Sequence, residues 1–232
     1  GREGPTGYEY ELTKALAKDL GVKAEYRLFS SVPDVLLALK EGRAHIAAAG
    51  LTVTPAREAL YAFSPSYQSV KEIVVCNRDG PRLKKLTDLA ERELVVPAGT
   101  SYAERLAELR EKSVAEKAEF ITWRESNETT EALFAQIADD DIGCTVADTP
   151  IFKVNRRLYP ELRAALDLTP QSKIAWAYAK EAVALGAYLE EWFEKKKKAG
   201  LIERLDHRFF DYFPEFDYVD ISRFRRDIEE KL

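Results

Sequence analysis

Apolar residues in this chain switch between helical and strand-like spacing. From Tyr8 to Leu20 they recur every three or four positions and stop before Gly21, which predicts an amphipathic helix with a glycine cap. A second helix is predicted over PDVLLALKEG, where Ser31 and Asp34 resemble a capping box. The segments AEYRLF, HIAAAG and EIVVCNR have the apolar character of strands.

The same alternation repeats from Leu86 onwards. Predicted strands are ELVVPAG, AEFITW, IGCTVAD and KIAWAYAK, and predicted helices are SYAERLAELREK, ETTEALFAQIADD and a long one from Glu181 to Ala199. This order predicts an α/β fold with right-handed crossovers and mostly parallel sheets flanked by helices. Two α/β groups meet near Tyr67–Val74 and again near Gln171–Tyr178, so two lobes joined by a hinge are expected.

Composition and charge narrow the possible functions. The chain has 232 residues, 46% of them hydrophobic, and a net charge of -5 that is spread along its length, which disfavours nucleic-acid binding. It has no apolar run of the roughly 20 residues that cross a bilayer. Because it opens GREGPTG and contains no methionine, we expect the natural start to lie elsewhere, with any leader or anchor removed.

The cysteines and histidines do not suggest a metal site. Cys76 and Cys144 lie in predicted strands, where buried free thiols are the leading interpretation and a disulfide is the alternative. With only two histidines and no Cys-x-x-Cys, no metal or other cofactor is expected. The acidic run Asp139–Asp141 is interpreted as a solvated turn rather than a catalytic carboxylate pair, and no catalytic motif is present, so we expect no enzyme activity in this chain.

Three predicted strands end in residues suited to a small charged ligand. In AGLTVTPAR, Gly50 lets a ligand approach the backbone, Thr52 offers a hydroxyl, and Arg57 can hold a carboxylate, although it could instead pair with a surface acid. In VVPAGTSYAERL, Thr100 and Ser101 begin a helix whose N–H groups could bind an anion, or they are simply N-caps.

The third strand exit, IGCTVADTP, supplies the opposite charge. Asp148 could cap the next helix or hold an ammonium group. One exit lies in the first group and two in the second, so together they suggest a zwitterion held between lobes. Arg57 and the helix start at Thr100 would take its carboxylate and Asp148 its amine.

The ordered motifs GYEYELTKALA, AGLTVTPARE, FSPSY, VVPAGTS and VADTP resemble type 2 periplasmic solute-binding proteins of the polar amino-acid group, over about Gly4 to Phe210. This resemblance implies a two-lobe clamshell and ligand contacts from Gly50, Thr52, Arg57, Ser101 and Asp148. Phe29 resembles the ligand-stacking aromatic residue of that family, with core packing as the alternative. The family's first strand is absent ahead of Gly1, and Pro97 replaces a usual polar residue.

The segments TVADTPIFKVNRRLYPELRAALDLT and FDYVDISRFRRDIEEKL more closely resemble the N-terminal regulatory module of the membrane-bound lytic transglycosylase F family. That resemblance implies lobe one at 1–69 and 179–210, lobe two at 70–178, and a linker at 211–232 towards a C-terminal catalytic domain.

It also implies a periplasmic protein, at the outer membrane when complete, that binds an amino acid or a short muropeptide. A transporter binding protein or a receptor sensor domain remains the alternative. No nucleic-acid partner is expected, and membrane association only through an anchor outside the chain.

Overall fold

Helices and short strands alternate along the computed structural model, which describes residues 5–80, 82–89, 92–115, 122–169 and 171–211. The α-helices of these residues are α1 (Tyr8–Leu20), α2 (Val32–Lys40), α3 (Pro55–Leu60), α4 (Ser101–Ala115), α5 (Thr130–Ala138), α6 (Thr149–Asn155), α7 (Val183–Lys198) and α8 (Leu201–Asp206). A 3-10 turn covers Leu86–Leu89, and a π-helical turn covers His207–Asp211.

The strands are mostly short. They are β1 (Ile46–Ala47), β2 (Ala62–Phe63), β3 (Gln68–Val70), β4 (Glu72–Asn77), β5 (Val95–Pro97), β6 (Arg124–Ser126), β7 (Cys144–Asp148), β8 (Leu162–Asp167), β9 (Ser172–Ile174) and β10 (Ala177–Tyr178).

The first two helices begin and end where their sequence predicts. Gly21 follows α1 in the left-handed region at a φ of 67°, which a residue without a Cβ adopts freely, and its N–H donates to the Lys18 carbonyl at 3.2 Å. Ser31 caps α2 by accepting the Asp34 N–H at 3.2 Å. Both predicted helices are therefore confirmed.

Lobe one is built on a small sheet with the order β1-β10-β2. Its main core joins side chains of α1, α7 and α8 with Tyr67 and Trp176, and α7 contributes the aromatic residues Trp192 and Phe193. Trp176 stacks on Trp192 with ring centroids 5.9 Å apart and is fully buried. Aromatic burial of this extent stabilises the lobe more than its short strands can.

Lobe two is built on a sheet with the order β7-β4-β8, beside the parallel pair β5-β6. The two faces of β4 alternate between two cores. Val74 and Cys76 pack towards α4, while Ile73 and Val75 pack towards α5. A continuously apolar strand is expected when helices cover both faces of a sheet.

Two chain segments connect the lobes as an antiparallel ribbon. β3 pairs with β9 so that Gln68 lies opposite Ile174. The returning segment then forms β10, which pairs with β1 and β2. Ala177 and Tyr178, predicted for lobe two, therefore belong to the lobe-one sheet, because the predicted strand KIAWAYAK is divided between the ribbon and that sheet.

Several predictions about strands were wrong. The paired strands are mostly antiparallel. Among the described strands, β5 and β6 pair in parallel, and a parallel bridge joins Leu94 to Cys144 of β7. The alternation of strands with helices does not distinguish parallel from antiparallel pairing. In lobe two, β7 and β8 both run in the direction opposite to β4. The segment at 24–29 is coil and largely exposed rather than a strand. Most of the predicted strand AEFITW, and the predicted linker beyond residue 211, lie outside the described residues.

The leading interpretation of the cysteines was also wrong. Cys76 on β4 lies directly opposite Cys144 on β7, with Cα atoms 4.3 Å apart, and the two form a disulfide. Strand pairing brings the thiols within bonding distance, which spacing in the sequence could not show. Both residues are buried inside lobe two, so the bond crosslinks that core.

We expect the disulfide to contribute substantially to stability. It closes a loop with a sequence separation of 68 residues, so replacing both cysteines with alanine should lower the free energy of unfolding by about 2–4 kcal/mol. Urea unfolding with and without reductant measures this. The double variant is the control, since reductant should not affect it. Two reactive thiols in the denatured, unreduced protein would contradict the disulfide.

Candidate ligand-binding site between the lobes

Local helix chemistry positions Arg57 at the base of lobe one. Thr54 caps α3 by accepting the Arg57 N–H at 3.3 Å, and Pro55 occupies the first helical position, where its missing N–H costs nothing. Just before this turn, Thr52 forms a β-bridge with Ile174 on the connecting ribbon. The motif AGLTVTPAR therefore fixes a guanidinium beside the hinge.

The Arg57 side chain is buried and fully engaged. It is 5% exposed, and its Nη1 donates to the Thr52 carbonyl at 3.1 Å. Its other contacts cross to lobe two. Nε donates to Glu104 Oε1 at 3.1 Å, and Nη2 donates to the Gly99 carbonyl at 3.3 Å. Arg57 is thus part of an interlobe ion pair rather than an exposed surface pair.

Glu104 is bound through both of its oxygens. While Oε1 accepts from Arg57, Oε2 accepts the Thr54 hydroxyl at 2.7 Å. Both donors come from α3 or its cap, whereas Glu104 lies in the first turn of α4 in lobe two. A carboxylate of the protein itself therefore occupies the anion-binding groups of lobe one.

Two further contacts bring the lobes together. The Ser101 hydroxyl donates to Thr52 Oγ1 at 3.1 Å. Gly99 has a φ of 66°, and a Cβ at this position would overlap the Pro33 ring at the start of α2. Glycine is thus needed here both for its backbone conformation and for the close approach of α2. The predicted anion residue Thr100 donates its hydroxyl to the Pro97 carbonyl at 2.7 Å and so secures the end of β5.

Asp148 lies in lobe two, at the end of β7. It occupies the N-cap position of α6 but makes no capping hydrogen bond with its side chain, so helix capping does not explain it. Its N–H donates to the Tyr102 hydroxyl at 3.1 Å. Directly opposite on β4 is Glu72, which is fully buried.

The electrostatics of this acidic pair are unusual. Burial raises the pKa of Asp148 to about 7, and the Glu72 carboxylate adds to the shift. Burial also raises the pKa of Glu72, although the Ser101 hydroxyl, Arg105 and Arg57 oppose it. Because Arg57 lowers both pKa values, the basic and acidic ends of the cleft act on each other electrostatically.

Gly50 and Phe29 lie further from this arrangement. The Gly50 N–H donates to Glu9 Oε1 at 2.9 Å, and Glu9 also accepts from the Tyr67 hydroxyl and from Trp176 Nε1. Gly50 has a φ of 59°, which explains the glycine through backbone conformation. Phe29 is half-buried in the loop before α2, and the Arg43 guanidinium carbon lies 5.5 Å from its ring centroid.

The structure thus brings Thr52, Arg57 and Ser101 into one contact network. Sequence analysis missed Glu104 and Glu72. Glu104 has the character of an ordinary acid in a first helical turn, and its role depends on the opposite lobe. Glu72 could have been found from the sequence, because it is the one charged residue of the otherwise apolar strand EIVVC. The run Asp139–Asp141 is exposed at the end of α5, as predicted.

Comparison with known proteins places the chain among binding proteins. The sequence profile of the bacterial extracellular solute-binding proteins, family 3, matches residues 1–212. Membrane-bound lytic murein transglycosylase F of Maricaulis maris is 39% identical over 229 residues, covering 98% of this chain and 49% of the relative. The Photobacterium profundum protein of the same name is 33% identical, covering 100% of this chain and 45% of the relative. The chain therefore spans about half the length of these relatives.

Solved structures agree on the fold. The P235GK mutant of ArgBP from T. maritima superposes with a TM-score of 0.79 at 19% identity, covering 89% of this chain and 86% of that one. The GluR0 ligand-binding core of Nostoc punctiforme, in complex with L-glutamate, superposes with a TM-score of 0.76 at 17% identity, covering 89% of this chain and 92% of that one. The predicted α/β type 2 clamshell is confirmed. Among the described residues, no helix combines the length and apolar character needed to cross a membrane.

The interlobe ion pair should hold the cleft closed in solution. Glu104→Ala removes the carboxylate that joins α4 to Arg57 and Thr54, so the lobes should separate and the radius of gyration should rise. Small-angle scattering of the protein without added ligand measures this. Glu111→Ala, on the exposed side of the same helix, is the matched control and should leave the profile unchanged. Identical profiles for Glu104→Ala and the original chain would contradict the role of this pair.

Proposed function

The chain belongs to the bacterial extracellular solute-binding proteins, family 3, and we propose that it captures an amino acid or a short cell-wall peptide between its lobes. The observation that carries this proposal is the buried Arg57 guanidinium, which holds a carboxylate through Nε with help from the Thr54 hydroxyl. A ligand carboxylate offers the same two oxygens as Glu104 does and can take its place.

The other predicted residues complete the proposed site. Ser101 and Thr100 begin α4, whose first N–H groups favour an anion, and Thr52 contacts Ser101 directly. Asp148 would hold the ligand amine from lobe two. Phe29 would cover the ligand from the loop before α2, and Gly50 would leave its strand exit open. A zwitterion satisfies both ends of this cleft at once, which supports an amino-acid-like ligand.

We further propose that the chain is the regulatory module of a peptidoglycan lytic transglycosylase. Its support is that relatives with that name match nearly all of this chain and are about twice as long. The chain itself would be non-catalytic and would act by binding. A buried disulfide fits an oxidising compartment such as the periplasm, and the relatives' name places them at a membrane.

Charge removal at either end of the cleft should weaken binding. Arg57→Ala leaves a ligand carboxylate unpaired in a buried site, so we expect a loss of roughly 2–5 kcal/mol in binding free energy. Asp148→Asn keeps the shape and removes the negative charge, and it should weaken the binding of free amines. Calorimetry against the standard L-amino acids and the dipeptide L-Ala-γ-D-Glu measures both effects.

Two exposed residues of lobe two provide matched controls. Arg124→Ala removes a guanidinium that pairs with Glu93 at the surface, and Asp167→Asn removes a carboxylate that pairs with Lys71. Neither should change affinity, because surface pairs contribute little. Thermal melts establish that all four variants fold. If a ligand from the panel binds the Arg57 and Asp148 variants as tightly as the original chain, the proposed site is wrong.

A further inference from the structure

A surface groove of about 850 Å³ runs between α1 and α8 in lobe one. Its apolar residues are Ala15 on α1 and Leu201 and Leu205 on α8. Leu205 is buried and the other two are half-buried, so these residues form the floor of the groove. We call this feature the α1–α8 groove. It shares no residue with the proposed ligand site.

The walls of the groove are basic. Lys14 and Lys18 lie four residues apart on α1, and Arg204 and Arg208 lie four residues apart on α8 and the π-helical turn after it. All four residues are exposed, and none of them forms an ion pair with another described residue. The contacts that three of them make are with aromatic rings or a carbonyl.

The charge of the groove differs in sign from that of the whole chain. The acidic residues that line it are fewer than the basic ones, namely Glu11 and Glu203. Four basic and two acidic residues give a formal charge of +2 with histidine counted as neutral, whereas the whole chain carries -5. An occupant that suits this groove is therefore acidic and carries apolar side chains for its floor.

The chain itself contains a segment with this composition, directly after the last described residue. Residues 212–222 read YFPEFDYVDIS, with three acidic residues, no basic residue and four aromatic residues. In an extended segment, side chains alternate between two sides. Phe216 and Tyr218 would then lie on the side opposite Glu215 and Asp217, so the aromatic side chains can cover the floor while the acids reach the walls.

The segment also begins close enough to reach the groove. Phe209 and Phe210 pack on Tyr8, the first residue of α1, with ring centroids 6.2 and 5.4 Å from that of Tyr8. From Tyr8 to Lys18 the helix is roughly 15 Å long. Nine extended residues reach roughly 30 Å. The segment can therefore turn at Pro214 and still extend along the whole groove.

We propose that residues 212–222 dock in the α1–α8 groove, with aromatic side chains on its floor and the acidic ones against Lys14 and Lys18. Burial of the aromatic rings supplies most of the binding energy, because exposed ion pairs contribute little, and the charges set the orientation. The short connection to α8 gives the segment a high effective concentration at the groove. The chain beyond residue 222 is then tied to lobe one, which leaves lobe two free to move about the hinge.

Cleavage by chymotrypsin measures this docking, because the enzyme cuts after aromatic residues and needs an extended, undocked substrate. When docking is fast, the cleavage rate follows the undocked fraction. In the full chain, we expect cleavage within 212–222 to be at least about tenfold slower than in a free peptide of the same sequence. Lys14→Glu/Lys18→Glu should bring the rate to within about twofold of the free peptide, because two attractions become repulsions.

A matched control and a charge swap make the test specific. Lys84→Glu/Lys112→Glu changes the net charge equally at exposed positions of lobe two and should leave the cleavage rate unchanged. In the segment, Asp217→Lys/Asp220→Lys should abolish protection. Combined with Lys14→Glu/Lys18→Glu it should restore protection, because both sets of charges are then reversed. Each rate is divided by that of a free peptide with the same substitutions.

Thermal melts establish that the variants fold. If the α1 variant does not fold, the segment variant gives the same readout, because it leaves every described residue unchanged. The proposal is overturned if the original chain is cleaved as fast as the free peptide, or if charge reversal on α1 and in the segment leaves its protection intact. Protection that rises with protein concentration would assign the groove to a second copy of the chain and would also overturn it. Failure here leaves the proposed ligand site untouched, since the two share no residue.

Discussion

A buried guanidinium needs an acceptor at every physiological pH, and Arg57 meets this requirement across the cleft. Its side chain cannot lose its proton, and it is 5% exposed. Among the described residues of lobe one, the Thr52 carbonyl alone accepts from this side chain, and its remaining contacts come from Glu104 and Gly99 of lobe two. The relative position of the lobes thus depends on neutralising one charge, which a ligand carboxylate could do equally well.

This requirement connects binding with movement. If a ligand carboxylate replaced Glu104, Arg57 would remain neutralised. Helix α4, which carries Glu104, would then no longer be tied to α3. The Thr52 to Ser101 contact and the close approach of Gly99 to Pro33 would then depend on how the ligand fills the cleft. The energetic cost of exchange is small when the incoming carboxylate repeats the two hydrogen bonds that Glu104 gives up. The relative position of the two lobes can therefore change when a ligand binds, without leaving the buried Arg57 charge unpaired.

The acidic end of the cleft has the complementary problem. Glu72 and Asp148 lie opposite each other on neighbouring strands, and burial penalises two negative charges there. A proton relieves that penalty at low pH, and an ammonium group would relieve it at neutral pH. In the proposed site, Arg57 would take the carboxylate of a zwitterion and the acidic pair would face its amine.

Much of this arrangement could be predicted from the sequence, because strand exits and helix caps are local. The spacing of Gly50, Thr52 and Arg57 and the position of Asp148 after an apolar strand predicted the residues on which the proposed site is based. Features that depend on contacts between distant segments could not be predicted. The ion pair of Arg57 with Glu104 joins two lobes, and the disulfide of Cys76 depends on the register of β4 with β7.

The misassigned strand shows the same limit. The segment AEYRLF has the composition of a strand, but a strand also needs a neighbour to pair with, and this segment is coil in the structure. Likewise, the direction of strand pairing in lobe two follows from how its connections run, which apolar periodicity does not record.

The most direct test of this account is a crystal structure of the chain with the amino acid that binds it most tightly. The account predicts that the ligand carboxylate contacts Arg57 Nε and the Thr54 hydroxyl, with the Glu104 side chain displaced from both. A ligand bound in the cleft while Glu104 still pairs with Arg57 would contradict it.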